Sequence, residues 1–307
     1  MPVPSTSENF GDLLDPIFSE IFNNERDQLP DMVPTLFTMT PDSPRGDSFK
    51  YSDVGEFDDF PVFSGSVSFD EVAQGYDVTA THIEKASGFQ VSRKLHDDDK
   101  WNIMTEKPRG LAAAAVRTRQ NDASGVFNNA FSSGSTFYVH SEGVALCSNS
   151  HTTNATGVST ATGFDNLGTA ALTSTAVVAA RIQMRGYRSD RGNRFSVNPD
   201  ELWYPPDIFD KAEEISLSEK RPEDATNAKN VNSGKFTLHD WEYMSDTNNW
   251  FMADSRQRSR NLFWGDRVSL EFAFAEDLDT IIAKWRAYMR YSWLWRDWRF
   301  IFGASVS

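Results

Sequence analysis

The stretch that most constrains the fold is 198–217, NPDELWYPPDIFDKAEEISL. Leu202, Trp203 and Tyr204 form a short apolar run suited to a pleated, buried surface. Pro205 and Pro206 end that run, because proline lacks the N–H that a ladder needs and fixes φ. Asp207 then offers a side-chain acceptor to the free N–H groups of a helix start, and Ile208, Ala212 and Ile215 recur at i, i+4 and i+7. A buried strand, a Pro-Pro turn and an amphipathic helix are predicted in immediate succession.

Around this centre the chain reads as mixed helix and strand. The 307 residues suffice for one large domain or two smaller ones, and 23 Phe with 9 Trp suit sheet surfaces and large interfaces better than a helical bundle. A net charge of −14 excludes a protein whose main task is gripping nucleic-acid phosphates. Cys147, the only cysteine, rules out an intrachain disulfide and reads as a small buried apolar residue. The start, MPVPSTSENF, lacks the basic and apolar regions of a signal peptide, and no run of about 20 apolar residues exists, so a soluble protein made in a cytoplasm, with no membrane partner, is expected.

Taken in order, Phe10, Leu13, Leu14, Ile17, Phe18 and Ile21 predict an amphipathic helix limited or kinked by Pro16. Pro30, Pro34, Pro41 and Pro44 then predict extended chain without helix, an arm with little core of its own that packs against a neighbour. Residues 48–54 and 76–85 alternate as the strands of a polar hairpin, with Tyr76, Val78, Ala80 and His82 sharing one face, and an acidic stretch of Glu56, Asp58 and Asp59 between them. An isolated ribbon is marginal in water, so this one is expected to lie on another surface. Residues 92–131 read as a helix broken or kinked at Pro108, with an Ala-rich second part. TFYVH and GVALC read as strands, 173–185 as a helix stopped at Gly186, and 186–198 as a basic loop with Arg188, Arg191 and Arg194. From Lys235 the pattern is strand-like. Trp285, Ala287, Met289, Tyr291, Trp293 and Trp295 fall on one face of a long strand, and Lys284, Arg286, Arg290 and Arg296 on the other, where they suit ion pairs between subunits.

The polar loop with Gly192, then Pro199, Leu202, Pro205 and Pro206, a helix with Ala212, and WFMAD at residues 250–254 together resemble the major capsid proteins of tailed double-stranded DNA bacteriophages, with the Hong Kong 97-type fold. The likeness implies an α+β capsid fold. Its parts are an N-terminal arm (1–45), an extended β-hairpin loop reaching over the adjacent subunit (46–90), a peripheral domain with a spine helix and long strands (91–134 and 257–300), and an axial domain (135–256 and 301–307). It also implies a structural protein of the virion that self-assembles into hexamers and pentamers of an icosahedral head. Such a head encloses double-stranded DNA without sequence-specific binding and involves scaffold, portal and decoration proteins. The absence of a charged helical prefix before Asn9 points to a separate scaffold or none.

No phosphate loop, zinc-spaced Cys/His set or serine elbow is present, so no catalytic, metal or cofactor residue is assigned. His140 with Glu142, and His239 with Asp240 and Glu242, could be written as acid–base groups, but nothing specifies convergent geometry. Asp97, Asp98 and Asp99 read as a solvated acidic cluster. Arg188, Arg191, Arg194, Lys50 and Lys85 are the candidate inter-subunit contacts. Some relatives weld a loop lysine to a neighbour's asparagine, yet no motif selects Lys50 or Lys85 for that chemistry. The rival class is a carbohydrate-binding or carbohydrate-cleaving β-rich protein with exposed Trp residues and a carboxylate-lined cleft.

Overall fold

In the computed structural model, residues 10–40, 46–63, 65–67, 69, 72, 74–92, 103–220, 228–277 and 282–307 are described. The central stretch folds as predicted up to its turn. Strand β7 (Glu201–Tyr204) is buried at every residue, Pro205 ends it, and a short 3-10 turn (Pro206–Ile208) leads into the helix Phe209–Leu217. Ile208, Ala212 and Ile215 are its inward face. Asp207, expected to cap that helix, lies within the 3-10 turn and caps nothing; Pro206 at the first turn has no N–H to satisfy, which lessens the need for a cap.

Strand β7 is an interior strand of a five-stranded sheet, next to its edge. It pairs in parallel with β8 (Thr237–Asp240) and antiparallel with β9 (Trp250–Ala253), which pairs with β12 (Ile301–Ala304), flanked in turn by β6 (Leu167–Gly168). A four-stranded sheet is formed by β1 (Thr38–Met39), β10 (Leu262–Asp277), β11 (Ile282–Trp295) and β4 (Ile83–Ser92), in that order. The period of two in β11 is realised: Trp285, Ala287, Met289, Tyr291, Trp293 and Trp295 are all buried. Against this sheet lie helices α1 (Phe10–Gln28) and α3 (Ile103–Asn128). A three-stranded sheet of β2 (Ser48–Val54), β3 (Gln74–Thr81) and β5 (Tyr138–His140) sits beside it.

Five expectations are corrected. The arm does not wait for a neighbour: Phe18 meets Trp285 at 5.0 Å between ring centroids, Phe22 stacks on Phe272 at 4.6 Å, and Val33, Leu36 and Phe37 enter the main core of the same chain. Of the described α1 side chains, Phe18 and Phe22 are buried whereas Ile17 is exposed, so Ile17 leaves the predicted apolar stripe and Phe22 joins it; Phe10, Leu13 and Leu14 lie outside the described side chains. Pro34 does not forbid helix, because it sits in the first turn of α2 (Val33–Leu36), and Asp31 accepts a hydrogen bond from the Val33 N–H at 2.9 Å. Pro108 does not break α3, which continues through it: its missing N–H forfeits a single backbone bond, and the rest of the ladder up to Asn128 carries the helix. GVALC is not a strand: the Asn166 side chain donates to the Leu146 carbonyl at 2.8 Å and accepts from the Ser148 N–H at 2.7 Å, supplying the bonds a partner strand would have given.

The hairpin is also divided. Its second strand, expected to run from 76 to 85, changes sheets at His82: β3 pairs with β2 and β5, and β4 pairs with β11. The ribbon thus lies against β5 and the end of β11, meeting the expectation of a supporting surface. Helix α4 (Ser174–Met184) starts where the Thr173 hydroxyl accepts from the Ala176 N–H at 3.1 Å and ends before Gly186. Among the described residues no helix is long and apolar enough to cross a membrane.

Candidate assembly interface

The loop between β2 and β3 is the least buried apolar segment described. Phe60, Val62 and Phe69 are 96%, 94% and 92% exposed, with Val54, Phe57, Phe63 and Val67 also exposed. Pro61, and Gly65 at a positive φ of 104°, keep the segment out of regular structure. Single exposed apolar residues are ordinary, but this many phenylalanines and valines in one loop mark a surface made to be covered.

The base of the loop is held by its own chain. Asp58 uses both carboxylate oxygens: Arg191 Nη1 lies 3.1 Å from Oδ2, and Asn193 Nδ2 donates to Oδ1 at 3.2 Å. At the end of β2, Arg296 Nη2 donates to Asp53 at 3.2 Å. Burial raises the Asp53 carboxyl above its ordinary value, Asp297 and Asp190 add to the rise, and Arg296 opposes it. Burial likewise raises Glu56, against the charge of Arg299. Arg299 is the brace of this region. Burial alone would depress it, but Asp297 and Asp190, each 2.9 Å from its guanidinium, hold it above the usual arginine value.

The candidate contacts are dispersed over this framework. Arg191 faces Asp58, Lys50 pairs with Asp77 at 2.6 Å, and Lys85 pairs with Asp122 at 3.0 Å. Arg188 donates to the Gly192 carbonyl at 3.4 Å, and the exposed Arg194 donates to the Arg185 carbonyl at 2.9 Å. On β11 and just beyond it, Arg290 and Arg296 find carboxylates of their own chain, Asp47 at 2.9 Å and Asp53 at 3.2 Å.

The acid–base pairs written from sequence are regrouped. Glu142 N–H donates to His140 Nδ1, but its carboxylate lies 3.1 Å from Nδ1 of the buried His151, which stacks on Trp298 at 4.3 Å. Burial alone would raise Glu142, yet the hydrogen bond and charge of His151 hold it below its ordinary value. His239 stacks on Trp203 and lies 3.9 Å from Glu201, a carboxylate no local pattern joins to it. These are stacked and cross-braced core groups. The Asp97, Asp98 and Asp99 cluster lies outside the described residues.

A family model described as phage capsid protein matches residues 76–304. The chain belongs to the phage capsid protein family. Among solved structures, this capsid protein is similar to the capsid of the native GTA particle, at 14% identity over 88% of each chain with a TM-score of 0.52. It is also similar to the cyanophage Pam1 capsid, at 9% identity over 88% of this chain and 89% of that one, TM-score 0.54. A third likeness is to the mature capsid of bacteriophage PhiM1, at 6% identity over 91% of this chain and 88% of that one, TM-score 0.59. No curated protein matches the chain. At these identities the likenesses establish the fold, and the α+β capsid fold expected from the sequence is the one observed. The carbohydrate reading finds no support: Trp203, Trp241, Trp250, Trp264, Trp285, Trp293, Trp295 and Trp298 are all buried, and none can stack on a sugar.

Proposed function

We propose that this member of the phage capsid family is the major capsid subunit of a tailed phage, assembling into hexamers and pentamers of an icosahedral shell around double-stranded DNA. The observation that carries the reading is an apolar loop left exposed among the described residues, on a chain of the capsid family. Copies related head to tail can cover such loops in turn, and a heterologous contact of this kind closes into rings. In this reading residues 46–90 are the loop that reaches over the adjacent subunit, and the peripheral and axial parts divide as the sequence suggests. Arg188 and Arg194, which among the described residues bond to carbonyls of nearby turns, are the candidate contacts best placed to meet acidic loops of another copy, and Lys50 and Lys85 divide their charge between their own chain and a neighbour, whereas Arg191 is engaged by Asp58 of its own chain. The surplus of 44 acidic over 30 basic residues suits a lining that holds DNA by confinement rather than adhesion. Assembly takes place in the host cytoplasm, with scaffold, portal and decoration proteins as partners, and the subunit's task is mechanical rather than catalytic.

Electron microscopy and light scattering of the expressed full chain test the reading. Closed particles of uniform size are expected. Monomers or small oligomers under every salt and pH condition tried would remove it.

A further inference from the structure

We infer that Asp58, Arg191 and Asn193 form a clasp within one subunit that aims the apolar loop before a second copy meets it; the inference rests on the capsid reading and names the residues that position its contact. The argument starts at the turn that carries Arg191. Ser189 N–H donates to the Asn193 carbonyl at 2.8 Å and Gly192 N–H to the Ser189 carbonyl at 2.9 Å, while Gly192, at a φ of +82°, supplies the left-handed residue that closes the turn. Such a closed turn presents Arg191 and Asn193 side by side. Buried Arg299 fixes the turn from beneath, donating to the Arg188 carbonyl at 2.6 Å and to Asp190 at 2.9 Å, with its guanidinium 4.8 Å from the Trp298 ring. Rigid donors of this kind hold a two-oxygen acceptor in one direction.

Asp58 is that acceptor, and it stands on the loop immediately before the exposed tip that begins at Phe60. The second tether, Arg296 to Asp53, lies at the end of β2 with the Arg296 guanidinium 5.5 Å from the Tyr51 ring. Between them the loop is fastened at both ends of its first limb. A loop already pointed at its partner gives up less conformational freedom on association, so the clasp lowers the concentration at which copies associate without making a contact across the interface itself. Arg191 is therefore a positioning residue acting within its own subunit.

The test uses the full chain under conditions where the wild type forms particles. Asp58→Arg and Arg191→Asp, each alone, are expected to raise the subunit concentration needed for assembly by about fivefold or more, the scale of a lost and reversed surface pair. Thermal unfolding of the unassembled subunit should stay close to wild type. A fluorophore at Ser66 should report a more mobile loop in both variants. The two changes combined in one chain should restore assembly, whereas an equimolar mixture of the two single variants should not. Restoration by the mixture would show that the pair forms between subunits and overturn the inference, as would assembly of either single variant at the wild-type concentration. If a reversal disturbs folding, Asp58→Asn, which removes the charge and keeps an acceptor, should give an intermediate loss, and wild-type behaviour of that variant overturns the clasp equally. Failure of the wild type itself to form particles would count against the capsid reading, a separate outcome.

Discussion

Glu201 and Arg258 meet inside the molecule, with guanidinium nitrogens 2.7 and 2.8 Å from the two carboxylate oxygens and side chains only 8% and 11% exposed. Trp203 Nε1 donates to the same carboxylate, and Arg258 also bonds the Leu36 carbonyl, so one arginine ties the N-terminal segment to the central sheet. Removing it leaves a charge in the core. Arg258→Ala should destabilise the subunit by about 3–5 kcal/mol, read from urea unfolding, because breaking a buried pair strands its partner. His82 predicts a pH dependence at the same scale. Its Nδ1 lies 2.9 Å from the Ser292 hydroxyl, and burial, then Arg290 and Arg267, hold its pKa below 6.5, against the opposing pull of Asp47. A histidine kept neutral by folding contributes full stability above pH 6.5, and that contribution is lost as pH falls below 6.5 towards the depressed value. His140 and His239, both depressed by burial first, act with the same sign. Unfolding at pH 7.5 and 5.5 should therefore show an acid loss that His82→Gln reduces, and an unchanged loss in that variant would exonerate His82.

Helix α1 is the element whose role changed most between sequence and structure. Because Phe18 and Phe22 are fully buried against Trp285 and Phe272, Phe22→Ala should cost about 3–5 kcal/mol. Truncation of residues 1–44 follows the same logic: it removes Val33, Leu36, Phe37 and strand β1 along with α1, and should lower the unfolding midpoint of the subunit rather than leave an intact core. Circular dichroism on heating checks both. Elements marked by local chemistry were legible beforehand. The Pro-Pro stop after Tyr204, the helix over 173–185 with its Gly186 stop and the Trp alternation of β11 each depend on neighbours in sequence. What escaped depends on residues far apart. The packing side of α1 is chosen by Trp285 and Phe272, the unpaired course of GVALC by the Asn166 side chain, and the Asp58 clasp by a turn more than a hundred residues away. Of the candidate site, the basic loop and the acidic stretch were each visible, but their meeting was not, since charge pattern alone names no partner.

At the scale of the whole molecule, stability and assembly fall on different residues. Phe60 and Phe63 are exposed in the subunit, so Phe60→Ser with Phe63→Ser should leave the unfolding midpoint within about a degree or two of wild type while particle yield drops sharply in light scattering. Equal yield would show that the loop tip is not a contact. The order of the five-stranded sheet has a consequence of another kind. Strand β12 is inserted between β6 and β9, although it follows every other described strand in chain order. A growing polypeptide therefore carries a gap between β6 and β9 until residues 301–304 have cleared the ribosome, and its five-stranded sheet closes only then.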